Sequence, residues 1–253
     1  MIGFLTLSKR EVVRFLKDAI DTIAPPTISV ILFLLIFGVG LGSRLGDVHG
    51  VPYIQFMTPG LLLLAIVRNA FLNPAYSLFQ SRWYGNIADF LVSPLSAEQI
   101  ALAVLLGGVA RGMIVGALVL AAAWLVTGVS VAQPTWALGY ALAVAVAFAG
   151  LGCIVGLWTR GWEGVGAIDT FVLDPLVMLG GVFYSLDMVR GVPIIEPLSA
   201  LNPFTYITEG FRAAMLGGAE AHVLIGLVLT LALGTICIGA ALVLFRVGYH
   251  LKA

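Results

Sequence analysis

"IALAVLLGGVARGMIVGALVLAAAWLVT" runs from Ile100 to Thr127 and carries a single charge, Arg111, in 28 positions. A helix rises 1.5 Å per residue, so about 20 such residues cross the roughly 30 Å hydrocarbon core of a bilayer. The run is continuous and rich in Ala, Leu and Val, without the period-2 alternation of a porin strand. It reads as a membrane-spanning helix. Five further runs read the same way, near 25–42, 54–79, 134–158, 166–186 and 222–245. The totals agree: the 253-residue chain is 60% hydrophobic and only 10% charged, with a mean hydropathy of +1.07. A soluble domain is about 45–50% apolar and about 25% charged. The expectation is an all-α integral membrane protein with six transmembrane helices. No long linker interrupts it, so residues 1–253 form one domain.

Six spans place both termini on one side. If that side is cytoplasmic, the inner segments hold Lys9, Arg10, Arg14, Lys17, Arg82, Arg160, Arg246 and Lys252, and the outer ones hold Arg44, Arg190 and Arg212. That excess of basic residues inside predicts cytoplasmic termini. The first 23 residues are amphipathic. Val12, Val13, Phe15, Leu16, Ala19, Ile20 and Ile23 recur at helical spacing, opposite Lys9, Arg10, Arg14, Lys17, Asp18 and Asp21. This pattern predicts an interface helix lying in the headgroup plane, either as an anchor or as a lateral gate. "APP" at Ala24–Pro26 is where it ends and the first span begins. The opening stretch has no cleavage site of the secretory type.

Between the second and third spans, residues 81–99 form a cytoplasmic segment. Gly85 opens a short helix there, Ile87, Phe90 and Leu91 share one face, and Ser93–Pro94 close it. That apolar face either folds back on the membrane or docks on a soluble partner.

Four charges fall inside predicted spans: Arg68, Arg111, Asp169 and Asp174. Such charges face a partner or a water-filled path. Arg68, Arg111 and Asp174 lie at similar depth, roughly 14–17 Å from the inner ends of their helices, so Asp174 is expected to neutralise Arg111 or Arg68. The pair is a static packing contact, part of a proton relay or a substrate contact. On a regular helix Asp169 and Asp174 lie roughly 140° apart. Gly108, Gly112 and Gly116, and Gly152 with Gly156, form stripes that let a neighbouring backbone approach, within the protomer or at a dimer seam. Asn73–Pro74 and Asp174–Pro175 mark bends. Cys153 and Cys237 sit in apolar runs and read as small buried hydrophobes.

The chain has three lysines, none in GxxxxGK[ST], and neither HExxH nor GxSxG. His49, His222 and His250 are scattered, so no metal or nucleophile constellation supports an intramembrane enzyme. Zero net charge gives no reason to expect nucleic acid as a partner.

The last polar stretch is residues 186–221. It is too long for a turn and too apolar for a solvated loop. Asn202 is a good N-cap, Pro203 suits the first helical position, and the helix should end near Gly217–Gly218. At about 14 residues, some 21 Å, it is shorter than a span. It reads as a helical hairpin re-entering the outer leaflet between the fifth and sixth spans, where non-helical backbone is tolerated only against protein or a cavity. Glu209 and Arg212, three apart, either pair along this helix or gate a path.

"GGVFYSLDMV" (Gly180–Val189) followed by "LNPFTYITEGFRAAMLG" (Leu201–Gly217), with "YIQFMTPGLL" (Tyr53–Leu62) and "GNIADFLVSPLSAEQI" (Gly85–Ile100), resembles the membrane subunit of ABC type-2 (ABC-2) exporters over essentially the whole chain. Acidic Asp174 in the fifth span departs from that likeness. The resemblance implies a type V exporter-like architecture in the bacterial inner membrane. It implies two copies of this chain with two copies of a separate ATP-binding-cassette ATPase, which holds ATP and Mg²⁺, so the chain is not catalytic alone and carries no cofactor. Coupling to the ATPase would fall on Asn86, Ile87, Asp89, Phe90, Leu91 and Pro94. The outer gate would comprise Asn202, Pro203, Glu209 and Arg212. The cargo implied is an amphiphile (drug, lipid or lipid-linked glycan), passing apolar residues such as Phe33, Phe37, Phe171 and Phe183. The alternative is an ion-coupled secondary transporter or channel that uses the intramembrane charges.

Overall fold

A computed structural model describes residues 2–41, 46–85 and 95–249. The first helix, α1 (Ile2–Lys17), is followed at once by α2 (Ala19–Phe33), which continues as a π-helix over Leu34–Leu41. The break therefore falls at Asp18, not at Ala24–Pro26. Thr22 closes it by donating its hydroxyl to the carbonyls of Asp18 and Phe15, at 2.8 and 3.0 Å. Pro25 and Pro26 then lie inside α2. Pro26 has no N–H to offer the carbonyl of Thr22, four residues back. Arg111 Nη2, from another helix, donates to that carbonyl instead at 3.1 Å. A side chain thus replaces the backbone bond that the proline removes, and the helix passes through. The buried side of α1 also differs from the expected stripe. Leu7, Glu11 and Phe15, four apart, are its buried residues, while Leu16 and Ile20 are exposed.

A small antiparallel pair, β1 (Asp47–Val48) with β2 (Val51–Pro52), leads into α3 (Tyr53–Trp83). This helix is the centre of the molecule, buried along most of its length. It packs between α4 (Ala97–Thr127) and α5 (Pro134–Trp158). α4 opens with a capping box in which Ser96 and Gln99 satisfy each other's backbone N–H, and closes on Gly128 in the left-handed region. Both glycine stripes face α3. A Cβ on Gly108 would meet the Ala70 carbonyl at 2.7 Å, and one on Gly156 would meet the Ala75 carbonyl at 2.7 Å. One on Gly152 would strike the Phe71 carbonyl. Pro74 frees the Ala70 carbonyl from its helical bond, and bare glycine lets α4 close over it. The stripes therefore serve packing within the protomer.

Next come α6 (Trp162–Ile168), a π-turn (Asp169–Leu173) and α7 (Asp174–Leu179), which follow one another without a break. After a 3₁₀ turn (Leu186–Val189) come α8 (Ile195–Leu201) and α9 (Pro203–Leu216), and α10 (Glu220–Val247) is the last helix. Five helical stretches are long and apolar enough to cross a membrane: Ala19–Gly38, Tyr53–Trp83, Ala97–Thr127, Pro134–Trp158 and Glu220–Val247. The expected span at 166–186 is not one of them. Its helix carries Glu163, Asp169 and Asp174 and stops at Gly180–Gly181, where Gly181 has φ +81°.

Asn202 caps α9 through Oδ1, which accepts from Phe204 N at 2.9 Å, and Gly217 ends the helix at φ +85°. The N-terminus of α9 reaches deep into the bundle. Phe204 meets Phe148 edge-on, centroids 5.7 Å apart, and Phe148 lies about 21 Å along α5 from its start. The C-terminus of α9 is level with the start of α5, where Ala132 N donates to Met215 O at 2.7 Å. At the opposite end of the bundle, Arg82 donates to the Leu157 carbonyl at 2.8 Å and to that of Thr159, capping α5. Arg246 and Glu98 pair there at 2.7 Å, tying α10 to α4.

Candidate functional site

Three polar clusters lie along α3. The middle one is built on Arg68, about halfway along that helix. Its Nε and Nη2 both donate to Asp169 Oδ2, at 3.1 and 2.7 Å, and Nη2 lies 3.6 Å from Asp174 Oδ2. Of the two arginines considered for Asp174, the structure places Arg68 beside it, and Asp169 is the closer partner of the two acids. The π-turn explains why both carboxylates reach one guanidinium. Asp174 N–H bonds to the carbonyl of Asp169, five residues back, which stacks the two residues on one face instead of 140° apart. Asp169 is buried, yet the Arg68 side chain is 43% exposed.

Arg111 stands apart from that cluster. It donates to Asn69 Oδ1 at 3.1 Å and to the Thr22 carbonyl already described. These bonds tie α4 to α3 and α2.

Sequence reasoning missed the second cluster. Glu11 is fully buried. Its Oε2 accepts from Ser77 Oγ at 2.7 Å and from Arg14 Nη2 at 3.2 Å. Arg14 also donates to Asn73 Oδ1 and to the Asn73 carbonyl, at 3.2 and 3.1 Å. Gly107 on α4 makes the room, since a Cβ there would meet Glu11 Cβ at 2.8 Å. An acid and a base of α1 are thus plugged into the α3–α4 groove. The available signal was spacing: Glu11 is four residues from both Leu7 and Phe15, on the stripe that packs.

The third cluster is at the end of the bundle where α9 finishes. The Arg212 guanidinium stacks 4.0 Å over the Phe56 ring. Its Nε donates to Phe56 O at 3.2 Å and its Nη2 to Gly181 O at 2.6 Å. Glu209 does not pair with it. Its Oε1 accepts from Leu186 N at 3.2 Å, so the residue braces the 3₁₀ turn. Asn202 Nδ2 donates to the Leu176 carbonyl at 2.6 Å, fastening the start of α9 to α7, and Pro203 starts the helix. The four expected gate residues therefore lie at two places, Asn202 and Pro203 at the start of α9, Glu209 and Arg212 in its second half.

Phe33, Phe37 and Phe183 form one cluster, centroids 5.7–5.8 Å apart. Phe171 does not join it and is 78% exposed. The expected coupling residues Asn86, Ile87, Asp89, Phe90, Leu91 and Pro94 lie outside the described residues. Among the described residues, no group of three or more His, Cys, Asp or Glu side chains could hold a metal ion.

Comparison with known proteins adds the family. A sequence model described as "ABC-2 type transporter" matches residues 3–216. The inner membrane transport permease YadH of Escherichia coli K12 is 37% identical over 216 residues, 85% of this chain and 84% of that protein. Nodulation protein J of Rhizobium leguminosarum bv. viciae is 25% identical over 253 residues, 94% of this chain and 89% of the relative. Nodulation protein J of Sinorhizobium fredii NGR234 is 24% identical over 230 residues, 87% and 86% of the two chains.

Proposed function

Because the chain belongs to the ABC-2 type transporter family, we propose that it is the membrane-spanning permease subunit of an ATP-driven exporter, moving an amphiphile outward with energy from a separate ATPase. It resides in the bacterial inner membrane as a multi-pass protein, in keeping with its resemblance to an inner membrane permease. The helix over 162–179 acts as the sixth span alongside the five long ones. Both termini are cytoplasmic, so the end bearing Arg82 and Arg246 faces inward. The α8–α9 hairpin re-enters the outer leaflet and plugs the outer end of the path.

The observation that carries this reading is Arg68. A guanidinium halfway along a membrane helix and 43% exposed cannot face lipid tails without a large cost. The face it shares with Asp169 and Asp174 must meet water or protein. The least buried span, Ala19–Gly38, and the exposed Phe171 and Val172 are unpartnered apolar surface. A second copy of the chain, apposed there, would enclose a pathway bordered by α2, α3 and the 162–179 helix. Residues 86–94 would meet the ATPase, and α1 would transmit its motion through Glu11 and Arg14.

The test is transport in inside-out vesicles. Fluorescent short-chain amphiphiles should accumulate in vesicles holding the chain and its ATPase only when ATP is hydrolysed. Ionophores that collapse ion gradients should not matter. Accumulation by the chain alone, abolished by those ionophores, would replace this reading with an ion-coupled carrier built on Arg68 and Asp169.

A further inference from the structure

A cavity of about 380 Å³ opens at the outer end of α9, lined among others by His49, Ser185, Asp187, Glu209, Arg212 and His222. Arg212 is only 7% exposed. Its guanidinium has two working edges. The Nε/Nη2 edge is taken by the carbonyls of Phe56 and Gly181. Nη1 is buried without a hydrogen-bond partner among the described residues. No contact ion pair holds the charge there either, although Glu209 acts on it from beyond contact range. Glu209 Oε1 is held by Leu186 N at 3.2 Å, and Asp187 Oδ1 by Arg190 Nη2 at 2.8 Å. Two neutral carbonyls fix the orientation of this cation, and Glu209 offsets its charge only through space. A buried cation without a counter-charge in contact is costly unless something supplies one.

We propose that this cavity is a binding site for an anionic oxygen, a phosphate or carboxylate on the headgroup of an amphiphile, with Arg212 Nη1 as its donor. The inference rests on the exporter reading for its biological setting, and names the chemistry the outer site recognises. Arg212 is pre-organised for the task, because packing on Phe56 and two backbone bonds leave it little freedom. His49 and His222 add ring nitrogens to the same cavity, and His49 Nε2 already lies 3.3 Å from Ser185 Oγ. Glu209 tunes the site in the opposite direction. Its carboxylate opposes any anion, so affinity is held low enough for release, as an exit requires.

The experiment is equilibrium binding to the purified chain in a neutral maltoside detergent, without the ATPase. Three probes are compared: dihexanoylphosphatidic acid, glycerol 3-phosphate, and dihexanoylglycerol. The anionic lipid should bind and the neutral one should not. Arg212→Gln should weaken binding about 10-fold or more, as expected for losing a charge-assisted bond. Glu209→Gln, which keeps an acceptor for Leu186 N, should tighten it about 3- to 10-fold by removing a like charge. A gain of affinity cannot come from misfolding, so this variant decides the matter even if Arg212→Gln fails to fold. Equal binding of glycerol 3-phosphate would assign the site to a free phosphate group; binding of the lipid alone would assign it to a headgroup delivered from the bilayer. Equal binding of the neutral lipid, or no gain in Glu209→Gln, overturns the proposal. Either result leaves the ATP-driven reading to its own vesicle test.

Discussion

Replacing Glu11 with alanine should release α1 from the bundle. The carboxylate is fully buried and joins Ser77 and Arg14. Removing one partner of a buried ion pair costs about 3–5 kcal/mol. The low end applies here, because Arg14 is 29% exposed at its side chain and keeps both bonds to Asn73. About 3 kcal/mol is roughly a 100-fold shift in the docked-to-released ratio. The assay is maleimide labelling of a single cysteine at Leu7→Cys, with Cys153 and Cys237 replaced. Leu7 is 7% exposed, so labelling reports release. Glu11→Ala should raise the rate up to about 100-fold, Glu11→Gln about 10-fold, while Ile20→Cys, exposed throughout, should be unaffected. An unchanged Leu7→Cys rate in folded Glu11→Ala would refute the idea that this polar plug holds the helix.

Other perturbations follow from the same packing. Gly152→Val should cost about 1–3 kcal/mol or prevent assembly, whereas Gly139→Ala, with nothing within 4 Å of its Cβ, should leave thermal stability in detergent unchanged. Arg68→Ala should destabilise by about 3 kcal/mol, because buried Asp169 loses its main partner; adding Asp169→Asn should recover more than half, and a double-mutant cycle with no coupling would contradict the pairing. Asn202→Ala should lose about 1–2 kcal/mol through the cap and the Leu176 bond, with Asn202→Asp restoring only the cap.

The long helices and α9 were legible because their signals are local. Continuous apolar runs marked α3, α4, α5 and α10, and Asn202-Pro203 with Gly217 marked both ends of α9. Glycine spacing marked the faces turned to α3. What was not legible depends on partners distant in the chain. Pro25 and Pro26 look like a break until Arg111, 85 positions beyond Pro26, repairs the Thr22 carbonyl. Asp169 and Asp174 look divergent until a π-turn, which has no clear sequence pattern, brings them together on Arg68. Glu11 is not singled out by the sequence reading at all, because only the folded chain shows Gly107, Asn73 and Ser77 closing around it. In each case the reading assumed a regular helix in isolation, and a side chain from another helix changed the outcome.

The central claim is that this permease chain takes its energy from a separate ATPase. The most direct measurement is purification of the tagged chain from its native membrane in mild detergent, followed by identification of the proteins that accompany it. The account predicts a soluble P-loop subunit in roughly equimolar amount. A homo-oligomer with no such subunit, in two gentle detergents, would contradict it.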